Sequence, residues 1–328
     1  MTISAIIPFY NSESTLARAI DSVLVQTILP SEIILVDNNS NDGSRLIADK
    51  YILEFPLLFT LLTESRQGAN FARNTGLSKA TGDWIQFLDA DDELLPEKLN
   101  HQIKIAEDNP TLELIIAANY VKLLNDSNIQ INYIKRLKID LMLALIGGLT
   151  GQTSSNLWKR NILDQIGGFN TEHKYIDDPL LVFEFFRQNS PIYFDHQPNV
   201  NVHQRLDTES VSRSNEAEII KAQLSDVYFF FDELRNYLIK HFQENNKYFR
   251  ELELQKYLVY RNYRFRFGAQ LPDFFRQLYI DENIEPHFLT NLKSYYYYLV
   301  NSKLRHNGFL KYPDLMLQAL LNIGKLLS

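Results

Sequence analysis

The chain contains no cysteine among its 328 residues. Disulfide bridges and thiolate metal sites are therefore excluded, and the absence is compatible with a reducing compartment. No stretch of the sequence holds the roughly 18 consecutive apolar residues that a membrane span needs. The first residues lack a basic segment, and their apolar run is too short for a signal peptide. We therefore predict a cytoplasmic protein whose only membrane contact is peripheral, at the inner face.

An excess of positive charge is also missing. Lys and Arg total 33 against 40 Asp and Glu, a formal net charge of −7. This balance gives no basis for binding nucleic acid. Hydrophobic residues make up 45% and charged residues 22%, which is ordinary for a soluble globular protein. The length suffices for one large α/β domain with an appended segment, or for two domains.

The first 120 residues alternate apolar runs with amphipathic stretches. Short apolar runs that end in turn residues predict buried strands, and helically spaced apolar residues after capping residues predict helices. We expect strands at 3–7, 33–36, 57–62, 84–88, 114–118 and 192–194, and helices after Asn11 or Ser12, after Ser40 or Asp42, over 69–79 and from near Pro96. This order predicts a mostly parallel sheet with helices on both faces.

Residues from about 215 onward have a different pattern, with long amphipathic stretches rich in Tyr, Phe, Leu and Arg. We therefore predict an α/β domain at 1–212 and a helical C-terminal region at 213–328. Aromatic and basic residues alternate between Tyr257 and Phe267. They fit either a membrane interface or a helical bundle that packs on the first domain, and the bundle is the preferred interpretation.

Three carboxylates, Asp89, Asp91 and Asp92, follow the strand predicted at 84–88. Carboxylates this close repel one another unless a cation or hydrogen-bond donors offset their charge. Mg²⁺ or Mn²⁺ binds through one or two carboxylates and substrate phosphates, so the run predicts a metal–diphosphate site. The alternative is a solvated turn before the next helix.

Asp37 also follows a predicted strand. It can accept a hydrogen bond from a nucleobase or a ribose, or it can be a turn residue beside Asn38 and Asn39. Because ligands bind at the carboxyl ends of parallel strands, we expect Asp37 and Asp89 to face one crevice.

Two further acids, Asp177 and Asp178, precede Pro179 and a helical stretch at 180–187. Either could remove a proton from an acceptor hydroxyl, or both could simply be acids at a helix N-terminus. His203 could bind the cation or a phosphate, or it could be structural.

Two arginines, Arg66 and Arg73, flank Gly68. Either could bind a base or phosphates, or both could lie on a solvated helix face.

Taken together, these segments resemble the family 2 glycosyltransferases of the GT-A fold. The resemblance covers about residues 2–212, and its motifs are specific jointly rather than singly. They are Ile6-Ile7-Pro8-Phe9-Tyr10-Asn11, the segment 32–44, Gly68-Ala69, the segment 72–77, Gly82 to Asp92, Ile166-Gly167-Gly168-Phe169-Asn170, Asp177-Asp178, Val202-His203 and Ser210-Val211-Ser212.

The resemblance implies an inverting transferase that uses a nucleotide-sugar, typically a UDP-sugar, and Mn²⁺ or Mg²⁺. The acceptor would be a glycan or a lipid-linked saccharide, as in cell-envelope polysaccharide synthesis. Asp178 matches the family's base, with Asp177 as a rival, and Asp91 and His203 match its metal-facing residues. The implied nucleotide-sugar pocket contains Pro8, Tyr10, Asn11, Glu13, Asp37, Asn39, Arg66, Gly68, Arg73, Asp89 and Ala90.

The sequence departs from the family pattern in two places. Asn38 and Asn39 replace an acid and a glycine after Asp37, which leaves the nucleobase open. Pro179 follows the matched base, and proline suits the first turn of a helix.

Two other functions are weaker alternatives. A nucleotidyltransferase would carry a phosphate loop rich in glycine and basic residues near the N-terminus, but residues 8–15 contain no Gly, Lys or Arg. A non-catalytic binding or scaffold protein would be expected to lose the acids, and all of them are present.

Overall fold

The computed structural model describes residues 1–124, 130–135, 140–205, 217–242 and 246–267. Contacts between residues divide the chain into two compact units, Met1–Lys256 and Tyr257–Ser328. Of the second unit, residues 257–267 are described, and they are helical. The boundary predicted near 212 lies outside the described residues, so the division into 1–212 and 213–328 stays a prediction.

Over residues 3–87, strands and helices alternate as the sequence predicts. The strands are β1 Ile3–Phe9, β2 Glu32–Asp37, β3 Phe59–Thr63, β4 Trp84–Phe87, β5 Glu93–Leu94, β6 Leu114–Ala117, β7 Asn119–Leu124, β8 Gln130–Lys135, β9 Leu157–Lys159, β10 Ile192–Asp195 and β11 Val200–Arg205. The helices are α1 Leu16–Leu24, α2 Ser44–Glu54, α3 Ala69–Leu77, α4 Lys98–Asp108, α5 Leu141–Ile146, α6 Arg160–Ile166, α7 Asp177–Arg187, α8 Ala217–His241 and α9 Lys247–Phe267.

Seven strands form the central sheet in the order β10-β6-β9-β4-β1-β2-β3. Strand β1 is parallel to both β2 and β4, and β2 is parallel to β3. Strand β9 is antiparallel to both of its neighbours. The mostly parallel sheet is confirmed, and the carboxyl ends of β1, β2 and β4 lie at one edge, where ligands bind in such folds.

The core explains why these runs become central strands. Every residue of β1 and of β4 is buried, which is typical of parallel strands covered on both faces. Helix α3 lies close against β1, because a Cβ on Gly76 would collide with the side chain of Ile6. Any larger residue at position 76 would push α3, and the side chains that it carries, away from the sheet.

A second sheet has the order β5-β11-β7-β8. Strand β11 is antiparallel to β5, with Asn201 opposite Glu93, and parallel to β7. Because β5 directly follows the acidic run, this pairing brings residues from beyond position 200 to that run.

Several predicted element ends were wrong. Helix α1 begins at Leu16 rather than after Asn11 or Ser12, because the Ser12 carbonyl first accepts the Thr15 and Leu16 N–H groups in a turn. Strand β3 begins at residue 59 rather than 57, since Leu57 is fully exposed in the preceding turn.

The two helix starts near the predicted site have different outcomes. Helix α4 begins at Lys98, near Pro96 as predicted. Helix α7 begins at Asp177 rather than at residue 180, so both acids lie in its first turn, and neither is the N-cap. Their carboxylates therefore do not cap the helix, and each has the partner described below.

The helices α8 and α9 confirm the helical prediction over the described part of the C-terminal region. In the ranges that the structure describes, no helix is long and apolar enough to span a bilayer.

Candidate functional site

The loops that follow β1 and β2 are joined to each other by hydrogen bonds. The Asn11 N–H donates to Ser40 Oγ at 3.2 Å, and the Asn41 N–H donates to Asn11 Oδ1 at 2.9 Å. Glu13 Oε2 accepts from the Gly43 N–H at 3.1 Å. Two residues of the predicted pocket therefore shape the rim of the crevice, with side chains that bind the neighbouring loop.

Asp37 ends strand β2 at the same edge and is 6% exposed. Its Oδ1 accepts from the Ser40 N–H at 2.9 Å, and its Oδ2 lies 3.5 Å from Arg45 Nη1. On the adjacent strand Pro8 is buried, whereas the Tyr10 ring just beyond it is 48% exposed. The predicted nucleoside residues thus share one edge of the sheet and offer a carboxylate and an exposed ring.

Asn38, where the sequence departs from the family pattern, is buried and holds the segment after β3. Its Nδ2 donates to the carbonyls of Glu64 and Arg66 at 2.8 and 2.7 Å. Its Oδ1 accepts from the Gly68 N–H at 2.7 Å. The Asn38 amide is therefore used in organising residues 64–68, a role that the sequence analysis missed.

Arg66 lies on this segment and binds Glu64 through two hydrogen bonds of 3.0 and 2.8 Å. The hydrogen bonds from Arg66, followed by that from Thr75, lower the pKa of Glu64 to about 2. Asn39, which has a φ of 66°, donates to the Ser65 carbonyl at 2.8 Å. The two predicted pocket residues thus both stabilise the segment 64–68.

The acidic run forms a tight turn after β4, with the Asp92 N–H donating to the Asp89 carbonyl at 3.0 Å. Asp91 is exposed to solvent on one side, and the protein surrounds its carboxylate on the other sides. This partial loss of hydration, followed by the charge of Asp89, raises the pKa of Asp91 to about 6. Burial and the charges of Asp91 and Asp89 raise the pKa of Asp92. The turn thus brings three carboxylates close together, and Ala90 is buried within it.

Arg73 is the residue at which the two predicted halves of the site meet. Its Nη2 donates to Asp89 Oδ1 at 2.7 Å and its Nη1 to Asp177 Oδ2 at 2.6 Å. The guanidinium is buried and lies over the Phe169 ring, 5.0 Å from its centroid. Burial alone would lower the pKa of Arg73, but the charges of Asp89, Asp177 and Asp178 raise it. Arg73 therefore carries a permanent positive charge between the two groups of acids.

Two asparagines of α3 fasten the Gly-Gly-Phe segment beside Arg73. Asn74 donates to the Phe169 carbonyl and accepts from the Phe169 N–H, both at 2.8 Å. Asn70 donates to the Asn170 carbonyl at 2.7 Å and accepts from Arg73 at 3.0 Å. One face of α3 thus holds both the acidic run and the segment that precedes α7.

Gly168 makes this close contact possible. Its φ is +73°, and a Cβ at this position would lie 2.5 Å from Asn74 Oδ1. A side chain there would be strained by the backbone and would also displace the asparagine. The second glycine of the Gly-Gly-Phe motif is therefore required by its approach to α3.

Thr153 and Ser154 link the two sides of the site, and the sequence analysis missed both. The Thr153 N–H donates to Asp178 Oδ1 at 3.0 Å, and the Thr153 hydroxyl binds the same oxygen. Ser154 Oγ accepts from the Asp89 N–H at 3.1 Å and binds the Asp92 carboxylate. The available signal was a run of small hydroxyl residues directly before the buried strand β9.

His203 lies on β11 next to the acidic run. Its Nε2 hydrogen-bonds to the Glu93 carboxylate, and its N–H donates to Asp92 Oδ1 at 3.3 Å. Burial lowers the pKa of His203. Among the described residues, no group of three or more His, Cys, Asp or Glu is arranged to hold a metal ion. The pairing of His203 with Asp91 as metal ligands stays a prediction, and residues 210–212 lie outside the described part.

The solved structures that are similar to this chain include two complexes with a nucleotide-sugar. Staphylococcus aureus TarS 1–349 in complex with UDP-GlcNAc has a TM-score of 0.62 at 18% identity, over 90% of this chain and 81% of that one. The mannosyltransferase PcManGT from Pyrobaculum calidifontis, in complex with GDP-Man and Mn²⁺, has a TM-score of 0.54 at 17% identity, over 92% of this chain and 81% of that one. At these identities the likeness shows the fold, and it confirms the expected GT-A architecture.

Curated proteins with similar sequences are named as glycosyltransferases. An uncharacterized glycosyltransferase of Rickettsia prowazekii is 32% identical over 206 residues, which is 60% of this chain and 61% of that protein. The uncharacterized glycosyltransferase YibD of Escherichia coli is 39% identical over 94 residues, which is 29% of this chain and 27% of that protein. The chain spans about three fifths of the length of its relatives in Rickettsia prowazekii and Rickettsia typhi.

The family model described as glycosyl transferase family 2 matches residues 4–170, just over half of the 328-residue chain. The match contains β1 to β4, the acidic run and the Gly-Gly-Phe segment, which are the elements joined by α3. The chain therefore belongs to glycosyl transferase family 2.

Proposed function

We propose that this chain transfers a sugar from a nucleotide-sugar, a UDP-sugar in the first instance, to a hydroxyl of a glycan or lipid-linked acceptor, with inversion at the anomeric carbon. The observation that carries the proposal is the double ion pair of Arg73, which brings Asp89 and Asp177 to one guanidinium. Family membership supports the reaction class, and the UDP-GlcNAc and GDP-Man complexes of the two similar structures support the donor class.

The nucleoside would lie across the carboxyl ends of β1 and β2. There Asp37 offers a carboxylate to a nucleobase N–H, and the exposed ring of Tyr10 offers a surface for stacking. The loops at Asn11 and Glu13 are already joined to the loop after β2. A pocket rim that is ordered before binding loses less entropy when the ligand arrives.

A divalent cation fits the residues at the acidic run. Asp91 lies in one turn with Asp89, and loss of hydration, followed by the charge of Asp89, raises the pKa of Asp91. Mg²⁺ and Mn²⁺ use one or two carboxylates and take their other ligands from phosphates and water. Asp91 would hold such an ion, with Asp89 beside it. When bound, the ion would offset negative charge on the departing nucleoside diphosphate.

Asp178 is the better of the two candidates for the base. Asp177 is bound to the Arg73 guanidinium at 2.6 Å, so its Oδ2 is already engaged in an ion pair. Asp178 is instead oriented by the backbone and hydroxyl of Thr153. We assign proton removal to Asp178 and a role in holding Arg73 to Asp177.

In the proposed reaction, Asp178 accepts the proton of the acceptor hydroxyl while that oxygen forms a bond to the anomeric carbon. The bond from the anomeric carbon to the diphosphate oxygen breaks on the opposite face, and its electron pair leaves with the diphosphate. The ion pair with Arg73 would hold the Asp89 carboxylate in place beside the donor. Attack and departure on opposite faces invert the anomeric configuration.

A donor screen with the full chain tests the proposal. UDP-GlcNAc, other UDP-sugars and GDP-Man are incubated with Mn²⁺, and the release of nucleoside diphosphate is measured. Where the wild type turns over a donor, we expect Asp178→Asn to lower kcat about 10²- to 10⁴-fold with unchanged affinity for UDP. The exposed Asp108 provides the control, Asp108→Asn, which should retain full activity.

The outcomes separate the alternatives. Full activity of Asp178→Asn would overturn the assignment of the base, and a product with retained anomeric configuration would overturn the inverting mechanism. Thermal stabilisation by UDP and Mn²⁺ without turnover of any donor would instead identify a binding module.

A further inference from the structure

The residues between the Gly-Gly-Phe segment and α7 form a short connection, 170–176, that leads directly into the proposed catalytic acids. Its start is fastened to α3, because Asn70 donates to the Asn170 carbonyl at 2.7 Å. Asn170 Oδ1 in turn accepts from the N–H groups of Glu172 and His173, at 2.7 and 3.2 Å. The first half of the connection is therefore ordered by the domain that the family model covers.

The second half of the connection is held by Asp226 of α8. Asp226 Oδ2 accepts from the Tyr175 N–H at 3.0 Å, and Asp226 Oδ1 hydrogen-bonds to His173 Nδ1 at 2.9 Å. The Asp226 side chain is 9% exposed. A buried carboxylate needs hydrogen-bond donors that replace its lost hydration. The two Asp226 oxygens therefore hold His173 and Tyr175 in place and are held by them.

An aromatic contact reinforces this pairing. The His173 ring stacks on Phe229, with 3.8 Å between the centroids and 13° between the planes. Phe229 lies three positions after Asp226, on the same face of α8. One face of α8 therefore binds the connection through three contacts. Asp226 hydrogen-bonds to the His173 ring and to the Tyr175 N–H, and Phe229 stacks on the His173 ring.

We propose that Asp226 is a positioning residue for the acceptor side of the site, acting through Tyr175 and His173 on the first turn of α7. Tyr175 lies two residues before Asp177 and three before Asp178, so its N–H bond sets the path of the chain into that turn. This inference rests on the proposed function, because it assigns α8 a task in that reaction. Helix α8 lies beyond residues 4–170, so this part of the site is supplied from outside the matched segment.

The experiment uses the full chain with Asp226→Ala, which removes both hydrogen bonds, and Asp226→Asn, which keeps an acceptor oxygen but loses the charge. Glu218→Gln is the matched control, because Glu218 is an exposed acid on the same helix. Kinetics are measured with the donor that the wild type turns over, and hydrogen exchange is followed by mass spectrometry in peptides from 170–180 and from β1 to β4.

We expect Asp226→Ala to lower kcat about 10- to 100-fold, since small displacements of reacting groups have costs of this size. The KM for the donor should change less than about twofold, because the donor side does not contact α8 in this scheme. Asp226→Asn should lie between Asp226→Ala and the wild type. Exchange should become faster in 170–180 alone, as expected for a local opening.

Unchanged exchange in 170–180 for both Asp226 variants would overturn the proposal, and so would faster exchange with an unchanged kcat. Faster exchange throughout β1 to β4 would show a general loss of stability instead of positioning, and would also overturn it. If the wild type turns over no donor, the proposed function fails, and the exchange data still decide whether Asp226 holds the connection.

Discussion

The proposed donor side and the proposed acceptor side of this site are built in different ways. On the donor side, Asp37 is held by Ser40 and Arg45, three and eight residues away in sequence. On the acceptor side, Asp177 is bound by Arg73 over a separation of 104 residues, and the connection before it is bound by Asp226 over 51. Asp37 on the donor side is positioned because it ends a strand and binds residues close to it in sequence. The acids on the acceptor side are positioned by partners that lie far away in the sequence.

The largest expected effect comes from breaking the residue that joins the two sides. Arg73→Met leaves Asp89 and Asp177 without their shared cation, and Arg73 is buried. We expect the free energy of unfolding to fall by about 3–5 kcal/mol, as for other broken buried ion pairs, and turnover to be abolished. Urea denaturation and the donor assay measure the two effects.

The control for that variant is Arg66→Met. The Arg66 side chain is 63% exposed and its partner Glu64 only 8%, but Thr75 Oγ1 and the backbone N–H of residue 66 would still bind Glu64, so we expect a smaller loss than for Arg73→Met. If both variants lost the same stability, the ion pairs of Arg73 would contribute no more to folding than the pair of Arg66 with Glu64.

A smaller effect is expected at the contact between the Gly-Gly-Phe segment and α3. Gly168→Ala combines a left-handed backbone with a collision against Asn74, and we expect a loss of stability of about 1–3 kcal/mol. Gly167→Ala is a close control, because Gly167 has a φ of +79° but no atom within 4 Å of an added Cβ. The difference between their denaturation midpoints isolates the contact with Asn74. Equal midpoints would mean that α3 does not constrain this segment.

The two neighbouring hydroxyls at 153 and 154 can sharpen the comparison between the sides. Thr153→Val removes a hydroxyl from Asp178 and should lower kcat about tenfold, the value of one hydrogen bond to a charged group. Ser154→Ala removes a contact of the Asp89–Asp92 turn and should mainly weaken the affinity for UDP with Mn²⁺. Steady-state kinetics and calorimetry distinguish the two effects. The reverse pattern would contradict the assignment of the two sides.

The smallest effect concerns pH and the donor side alone. The pKa of Glu64 is lowered to about 2 in the folded chain, mainly by Arg66 and Thr75, from an ordinary value of 4.5. Because the folded pKa is depressed, the contribution of Glu64 is fully present above pH 4.5 and is lost as the pH falls towards 2. Glu64→Gln should therefore flatten the pH dependence of stability in this window. Identical pH profiles for the variant and the wild type would show that the pair is not formed in solution.

Much of the donor side could be predicted from the sequence. Continuous apolar runs predicted the central strands, and the position of acids after those runs predicted that Asp37 and Asp89 share an edge. Element starts were less well predicted, as at α1 and α7, because side chains and carbonyls of the preceding turns decide where a helix begins. Asn38 appeared only as a departure from a motif, since its three hydrogen bonds go to backbone groups that no pattern identifies.

The sequence by itself determined the family, the fold class and the identity of the acids, because periodicity and local motifs are properties of neighbouring residues. Only the tertiary structure gave Asp177 and Asp178 different partners, Arg73 and Thr153, and only it brought Asp226 to the connection before α7. These contacts join residues that lie 25 to 104 positions apart. Such pairs meet only after the sheet has placed α3, the segment before β9 and α8 around the same edge, which is why no local pattern predicts them.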